Sequence, residues 1–164
     1  FGLNTGTLPV VGYNFGAKNR ARSLSAIRFS TLMALCYMTL WLCVFQVFPK
    51  EMLAWFKAQE DMLTVGTTTL RLISLTFPLM AVTIILSGSL NALGKSTYSL
   101  LISAVRQIVI LLPLAYFLGK TIGLKGVWLA FIASELVGIL LTTLLFKYAI
   151  RMQLPKSKND EVNL

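Results

Sequence analysis

Four stretches of this chain run for more than twenty residues with at most one charge, and that length restricts what the chain can fold into. Phe29 to Pro49 covers 21 residues without a charge, and Leu72 to Gly94 covers 23. Ser96 to Gly119 covers 24 with Arg106 as its one charge, and Gly126 to Phe146 covers 21 with Glu135 as its one charge. A helix rises about 1.5 Å per residue, so about 20 apolar residues cross the ~30 Å hydrocarbon layer of a bilayer. Of the 164 residues, 56% are hydrophobic and 13% charged, more apolar side chain than a soluble core of this size can hide. A membrane sheet would have to close into a barrel of strands that alternate in polarity, and these runs do not alternate. The chain therefore reads as all-α, a polytopic transmembrane helix bundle.

Turn-forming residues divide the bundle. Gly16, Pro49, Gly94 and the stretch from Gly119 to Gly126 punctuate the apolar runs. The expected helices are 1–15, 25–48, 62–93, 96–118 and 124–150, followed by a polar tail over 151–164 that frays into water. The chain opens on Phe1-Gly-Leu-Asn with neither Met nor a basic stretch, which reads as a chain cut inside a helix rather than a signal peptide. A helix over 62–93 would be about 48 Å long, so a bend or a projecting end must absorb the excess.

The net charge of +9 would suggest nucleic acid in a soluble protein. Here the cations fall between the apolar runs, where the positive-inside bias of membrane proteins places them, and no nucleic-acid partner is expected. Lys18, Arg20, Arg22, Arg28, Lys95, Lys147, Arg151, Lys156 and Lys158 fall to one side. Lys50, Lys57, Lys120 and Lys125 fall to the other. Nine against four puts the first loop and the C-terminus in the cytoplasm of a multi-pass cell-membrane protein. The connection from Lys50 to Asp61, with Trp55 and Phe56, then sits at the outer headgroups.

Catalytic and metal chemistry find little support. There is no His, and the two cysteines, Cys36 and Cys43, are seven apart on one helix, too far for a disulfide and suited to apolar packing. Gly94-Lys95-Ser96-Thr97 matches the end of a phosphate-binding loop, but the preceding glycine is misplaced and a membrane helix, not a strand, leads into it. A turn with Lys95 at the headgroups is the expectation. Gly2/Gly6 and Gly12/Gly16 are spaced for close helix contact, whereas Gly119/Gly123 falls in a connection and reads as turn chemistry. Pro78 and Pro113 each remove a backbone donor and should kink their helices, as passive packing or as hinges.

The sharpest signal is charge within the apolar runs, because an intramembrane ion costs a few kcal/mol unless it meets water or a partner. Arg106 is about 15 Å from the start of its helix and Glu135 about 16 Å from the start of the next, which runs antiparallel. Both fall near the midplane and can pair, either as a structural lock between helices or as the lining of a polar cavity. Gln107, Asn91, Ser87 and Asn14 lie at levels where they could line the same cavity or bond neighbouring helices. Arg71, near a helix end, is expected to reach the interface.

These residues also resemble a known family. Leu8-Pro9-Val10-Val11-Gly12-Tyr13-Asn14-Phe15-Gly16-Ala17 is similar to the Pro-x-x-Gly-Tyr-Asn-x-Gly-Ala signature of the multidrug and toxic compound extrusion (MATE) transporters. Leu70-Arg71-Leu72 with Pro78, Asn91-Ala92-Leu93-Gly94-Lys95, Arg106-Gln107 with Pro113, and Gly123-Leu-Lys-Gly126-Val127-Trp128 follow in the family's order. The resemblance implies the C-terminal part of a twelve-helix transporter of two six-helix halves, about helices eight to twelve. It implies export of organic cations or drugs in exchange for protons or sodium, without a further cofactor. The partners would be membrane lipids and the N-terminal lobe of the same protein. Leu8 stands where the family often has Gln, and the segment matching the tenth helix has no acid within its span, so Glu135 is singled out by depth alone. Asn14, Asn91, Arg106, Gln107 and Glu135 are the candidate pathway residues. A lipid-linked oligosaccharide flippase of the same superfamily or a structural membrane subunit are the alternatives. A membrane-embedded enzyme would need a cluster of His, Asp or Cys that the chain lacks.

Overall fold

A computed structural model of the chain describes residues 1–55 and 60–153. The helices are α1 (Gly2–Gly16), α2 (Arg20–Val47), α3 (Pro49–Ala54), α4 (Glu60–Ser74) and α5 (Phe77–Ala92). Then α6 (Ser96–Ala104) passes through a π-helical stretch, Val105–Leu111, into α7 (Leu112–Ile122), and α8 (Leu124–Gln153) completes the chain. No strand occurs among the described residues. Three helices are long and apolar enough to cross a membrane: Arg20–Val47, Ser96–Ile122 and Leu124–Met152. Among the described residues, the bent pair Met62–Ser74 and Phe77–Ala92 meets the same criterion when its two helices are taken together as one broken span.

Charge-free runs mark where the hydrocarbon layer can lie, and helices extend past it. Thus α2 begins at Arg20 rather than Ser25, because Asn19 caps it: the Asn19 side-chain oxygen accepts from the Arg22 N–H at 3.1 Å. The turn before it closes on α1, with the Lys18 N–H donating to the Phe15 carbonyl and the Asn19 N–H to the Asn14 carbonyl. Likewise α8 continues to Gln153, and the expected fraying tail falls almost wholly outside the described residues, as do Phe56 and Lys57 of the connection after α2. What is described of that connection includes α3 and an exposed Trp55.

The expected helix over 62–93 is divided by a 46° bend between Ser74 and Phe77. Pro78, at the first turn of α5, has no N–H for the turn behind it, and its ring crowds the residue before it. The backbone groups released there find partners inside the bundle. Thr76 donates through both its N–H and its hydroxyl to the Ile73 carbonyl, at 2.9 and 2.7 Å. Gln46 of α2 reaches across, its Nε2 donating to the Arg71 carbonyl at 2.8 Å and to the Ser74 hydroxyl at 3.1 Å. Arg71 itself is exposed beside this bend. Pro113 behaves differently: its helix continues, and the wider π turn precedes it, with the Leu112 N–H donating to the Gln107 carbonyl five residues back. That wider turn relieves the clash a proline ring makes with the carbonyl of the preceding turn.

The Gly94-Lys95-Ser96-Thr97 match is a helix-to-helix turn. Gly94 takes φ +71°, its N–H donates to the Asn91 carbonyl, and the Lys95 N–H donates to the Leu90 carbonyl, closing α5. Gly123 takes φ +73° and ψ −149°, a conformation open only to glycine, and so allows α8 to fold directly back on α7. The spaced glycines of α1 correct another expectation. A Cβ at Gly2, Gly6 or Gly16 meets nothing within 4 Å, and at Gly12 only the Ala92 carbonyl at 3.8 Å. Close approach occurs instead at Gly88, where the Asn4 amide of α1 occupies the space of a side chain, and at Gly126, against the Leu118 backbone.

Helix α5 is the hub, packed against α1, α2, α6 and α8. The shared core gathers Val11, Ile27, Ile85, Leu90, Ile102 and Phe146. Large apolar side chains also cover the outside, among them Leu40, Leu100, Phe117 and Leu140. That surface would be a liability in water and suits lipid. Cys36 and Cys43 lie on it, exposed rather than packed.

Because the Gln46 amide donates to the Arg71 carbonyl and the Ser74 hydroxyl at the bend, Gln46→Leu is expected to lower stability by about 1 kcal/mol. Reversible unfolding in mixed micelles measures this, with unchanged helical circular dichroism before unfolding.

Candidate functional site

The inward face of α6 and its π stretch carries Ser99, Ile102 and Arg106 at spacings of three and four, one helical face. The facing side of α8 carries Glu135, Gly138 and Thr142, again at three and four. These two faces meet. The Arg106 Nη1 donates to both carboxylate oxygens of Glu135, at 2.8 and 2.9 Å. The Arg106 side chain is 17% exposed and that of Glu135 8%, so two opposite charges are held together almost out of contact with the surroundings. A charge-assisted contact of this length offsets much of the desolvation that either ion alone would incur.

Gly138 makes the approach possible. A Cβ there would lie 2.7 Å from the Arg106 Cδ, so the arginine stem crosses α8 where α8 has no side chain. One turn on, the fully buried Thr142 donates to the Gly138 carbonyl at 2.7 Å, and Ser134 donates to the Phe131 carbonyl at 2.8 Å. The π stretch places Arg106 in its first turn, where backbone bonding has already departed from the α pattern.

Of the five candidate residues, the structure brings together Arg106 and Glu135 and leaves the other three apart from them. Asn14 donates to the Val10 carbonyl of its own helix at 2.8 Å. Asn91 is exposed near the end of α5, and Gln107 is exposed on a face adjacent to that of Arg106. None of the three is hydrogen-bonded to the pair. Ser87 instead bonds Ser99, joining α5 to α6.

Polar residues not singled out from the sequence form a second junction. The buried Ser30 and Thr7 hydroxyls are hydrogen-bonded at 2.7 Å, joining α2 to α1, and Asn4 packs on Gly88 of α5. Asn4 and Thr7 are three apart on one face of α1, and that spacing was the available signal. Gly138, three residues after the one acid of its run, carried a similar signal.

Substituting either member of the pair alone, as Arg106→Met or Glu135→Leu, leaves an unpaired buried charge and is expected to cost about 3 kcal/mol or more. The double variant should be less destabilised than the sum by at least about 1 kcal/mol, and strict additivity of unfolding free energies would remove the coupling. Gly138→Leu should mimic the single losses by displacing the arginine stem.

Comparison with known proteins agrees with this arrangement of helices. The MatE family model matches residues 1–117. The multidrug export protein MepA of Staphylococcus aureus is 28% identical over 156 residues, covering 93% of this chain and 33% of that protein. The FAD transporter of Shewanella oneidensis is 26% identical over 138 residues, 84% of this chain and 30% of that protein. The chain thus spans about a third of the length of these relatives. In structure it is similar to the Vibrio cholerae MATE transporter VcmN in the bent form, with a TM-score of 0.82 at 20% identity over 89% of this chain and 33% of that one. With the family match covering most of its length and the helical arrangement of a MATE transporter, the chain belongs to the MatE family.

Proposed function

We propose that the protein carrying this chain is a secondary active efflux transporter that exports organic cations or drugs in exchange for protons or sodium. In this reading the chain forms most of its C-terminal lobe. The observation that carries the substrate class is the similarity to a multidrug export protein across 93% of the chain. For the coupling, the supporting feature is Glu135, the one acid between Met62 and Gln153, held by Arg106 inside the bundle.

A buried carboxylate is a group that a proton or a cation can neutralise, and in doing so it weakens the pull on its arginine. The pair would then differ between two states of the bundle, which is the condition for an ion to bias an equilibrium. Exchange requires that the coupling ion and the substrate favour opposite states, and moving a population from 1:99 to 99:1 takes about 5.5 kcal/mol of differential binding. The cytoplasmic placement of the C-terminus belongs to the same proposal. Its support is the excess of Lys and Arg in the loops on that side, together with a groove at one end of the bundle that Arg20 and Arg151 line together.

The complete protein in vesicles, loaded with a fluorescent organic cation, tests the reading. Export is expected to follow an imposed proton or sodium gradient and to stop when that gradient is dissipated. Glu135→Gln should reduce the exchange rate about tenfold or more at equal inserted protein, as the loss of a positioned proton or cation carrier does. Export driven by neither gradient would overturn antiport. Normal exchange by Glu135→Gln would leave the pair a structural lock. Export of flavin adenine dinucleotide but of no cation would move the substrate class toward that of the Shewanella relative.

A further inference from the structure

Helices α2, α5 and α8 line an open groove of about 700 Å³. Four cations line it, Arg20 and Arg28 from α2 and Lys147 and Arg151 from α8, and among the described residues no acid does. Arg28, Lys147 and Arg151 make no hydrogen bond or ion pair among the described residues, and all three are exposed. Away from the cations the walls turn apolar, with Leu35 on α2 and Val82 on α5. Leu35 lies about 10 Å further along its helix than Arg28.

A soluble anion would use the cations and leave the apolar walls unmatched. A neutral lipid or another apolar helix would use the walls and leave three cations unneutralised. We propose that this groove binds an anionic glycerophospholipid, its phosphate held by Arg28, Lys147 and Arg151 and an acyl chain laid along the wall toward Leu35 and Val82. Basic pockets between membrane helices select anionic headgroups by this division of labour, charge at the interface and hydrocarbon below. The site would tie the start of α2 to the end of α8, two segments more than a hundred residues apart in the chain. The inference rests on the membrane setting, not on the direction or driving ion of transport.

The test is native mass spectrometry of the complete protein, delipidated in neutral detergent and titrated with dioleoyl phosphatidylglycerol or dioleoyl phosphatidylcholine. Phosphatidylglycerol is expected to half-saturate a site at about tenfold lower concentration, the scale that a few interfacial cations supply. The triple variant Arg28→Gln, Lys147→Gln, Arg151→Gln should lose that preference. The triple variant Lys18→Gln, Arg22→Gln, Lys95→Gln, which removes the same charge outside the groove, should keep it. Equal affinity for the two lipids overturns the proposal, as does equal loss in both triple variants, and so does displacement of the lipid by glycerol phosphate at similar concentration. Leu32→Trp, in the groove wall at a position already 57% exposed, gives a reading that needs no loss of charge. Its fluorescence should be quenched by brominated phosphatidylglycerol at lower mole fraction than by brominated phosphatidylcholine, and equal quenching counts against the site.

Discussion

In the hydrocarbon of a bilayer no water is available to a polar group, so each needs a partner within the protein. The arrangement of this bundle follows from that constraint. Where helices are regular, the backbone satisfies itself. The hydroxyls of Thr7, Thr31, Thr83, Ser89 and Thr142 follow suit by donating to the carbonyl four residues back. At irregularities the partner must come from elsewhere. The Pro78 bend draws in Gln46 from a neighbouring helix, and a pair of intramembrane ions is tolerated because each is the other's partner.

The same constraint explains why small residues sit where they do. Two glycines of this bundle admit a polar side chain between helices, whereas Gly126 lets the backbone of α8 approach that of α7. Gly138 accommodates the stem of Arg106 on its way to Glu135, and Gly88 accommodates the amide of Asn4. Each glycine is paired with the polar residue it admits, and a larger side chain at either would separate polar groups as well as helices. That coupling of shape to charge gives α5 and α8 their specific neighbours, because apolar contact alone, equally available from lipid, would not distinguish one helix face from another.

The two irregular spans handle proline in opposite ways. Around Pro78 the helix is interrupted, bent by 46° and tied to α2, an arrangement with several fixed contacts. Around Pro113 the helix stays continuous by widening to a π turn that includes Arg106. The ion pair thus sits on the continuous span, at a π turn of the kind frequent at functional sites.

Much of this was legible in the sequence, and the reasons are local. The apolar runs gave the membrane class because span length is a one-dimensional property, and the depths of Arg106 and Glu135 followed from a rise of about 1.5 Å per residue. Gly94 and Gly123 read as turns because their breaks in the pattern required it. What the chain could not express by itself was which faces meet. Asn14, Asn91 and Gln107 have the composition of pathway residues, but the direction of each side chain depends on helix rotation, and that is set by packing against α5 and α8. The start of α2 at Arg20, the Gln46 latch, the fit of Arg106 over Gly138 and the gathering of four cations around one groove are all long-range facts. The sequence by itself determined a membrane-spanning helical chain with two ions in its interior. Tertiary structure decided that those ions touch, because only the rotation and approach of neighbouring helices can bring side chains twenty-nine residues apart within 2.8 Å.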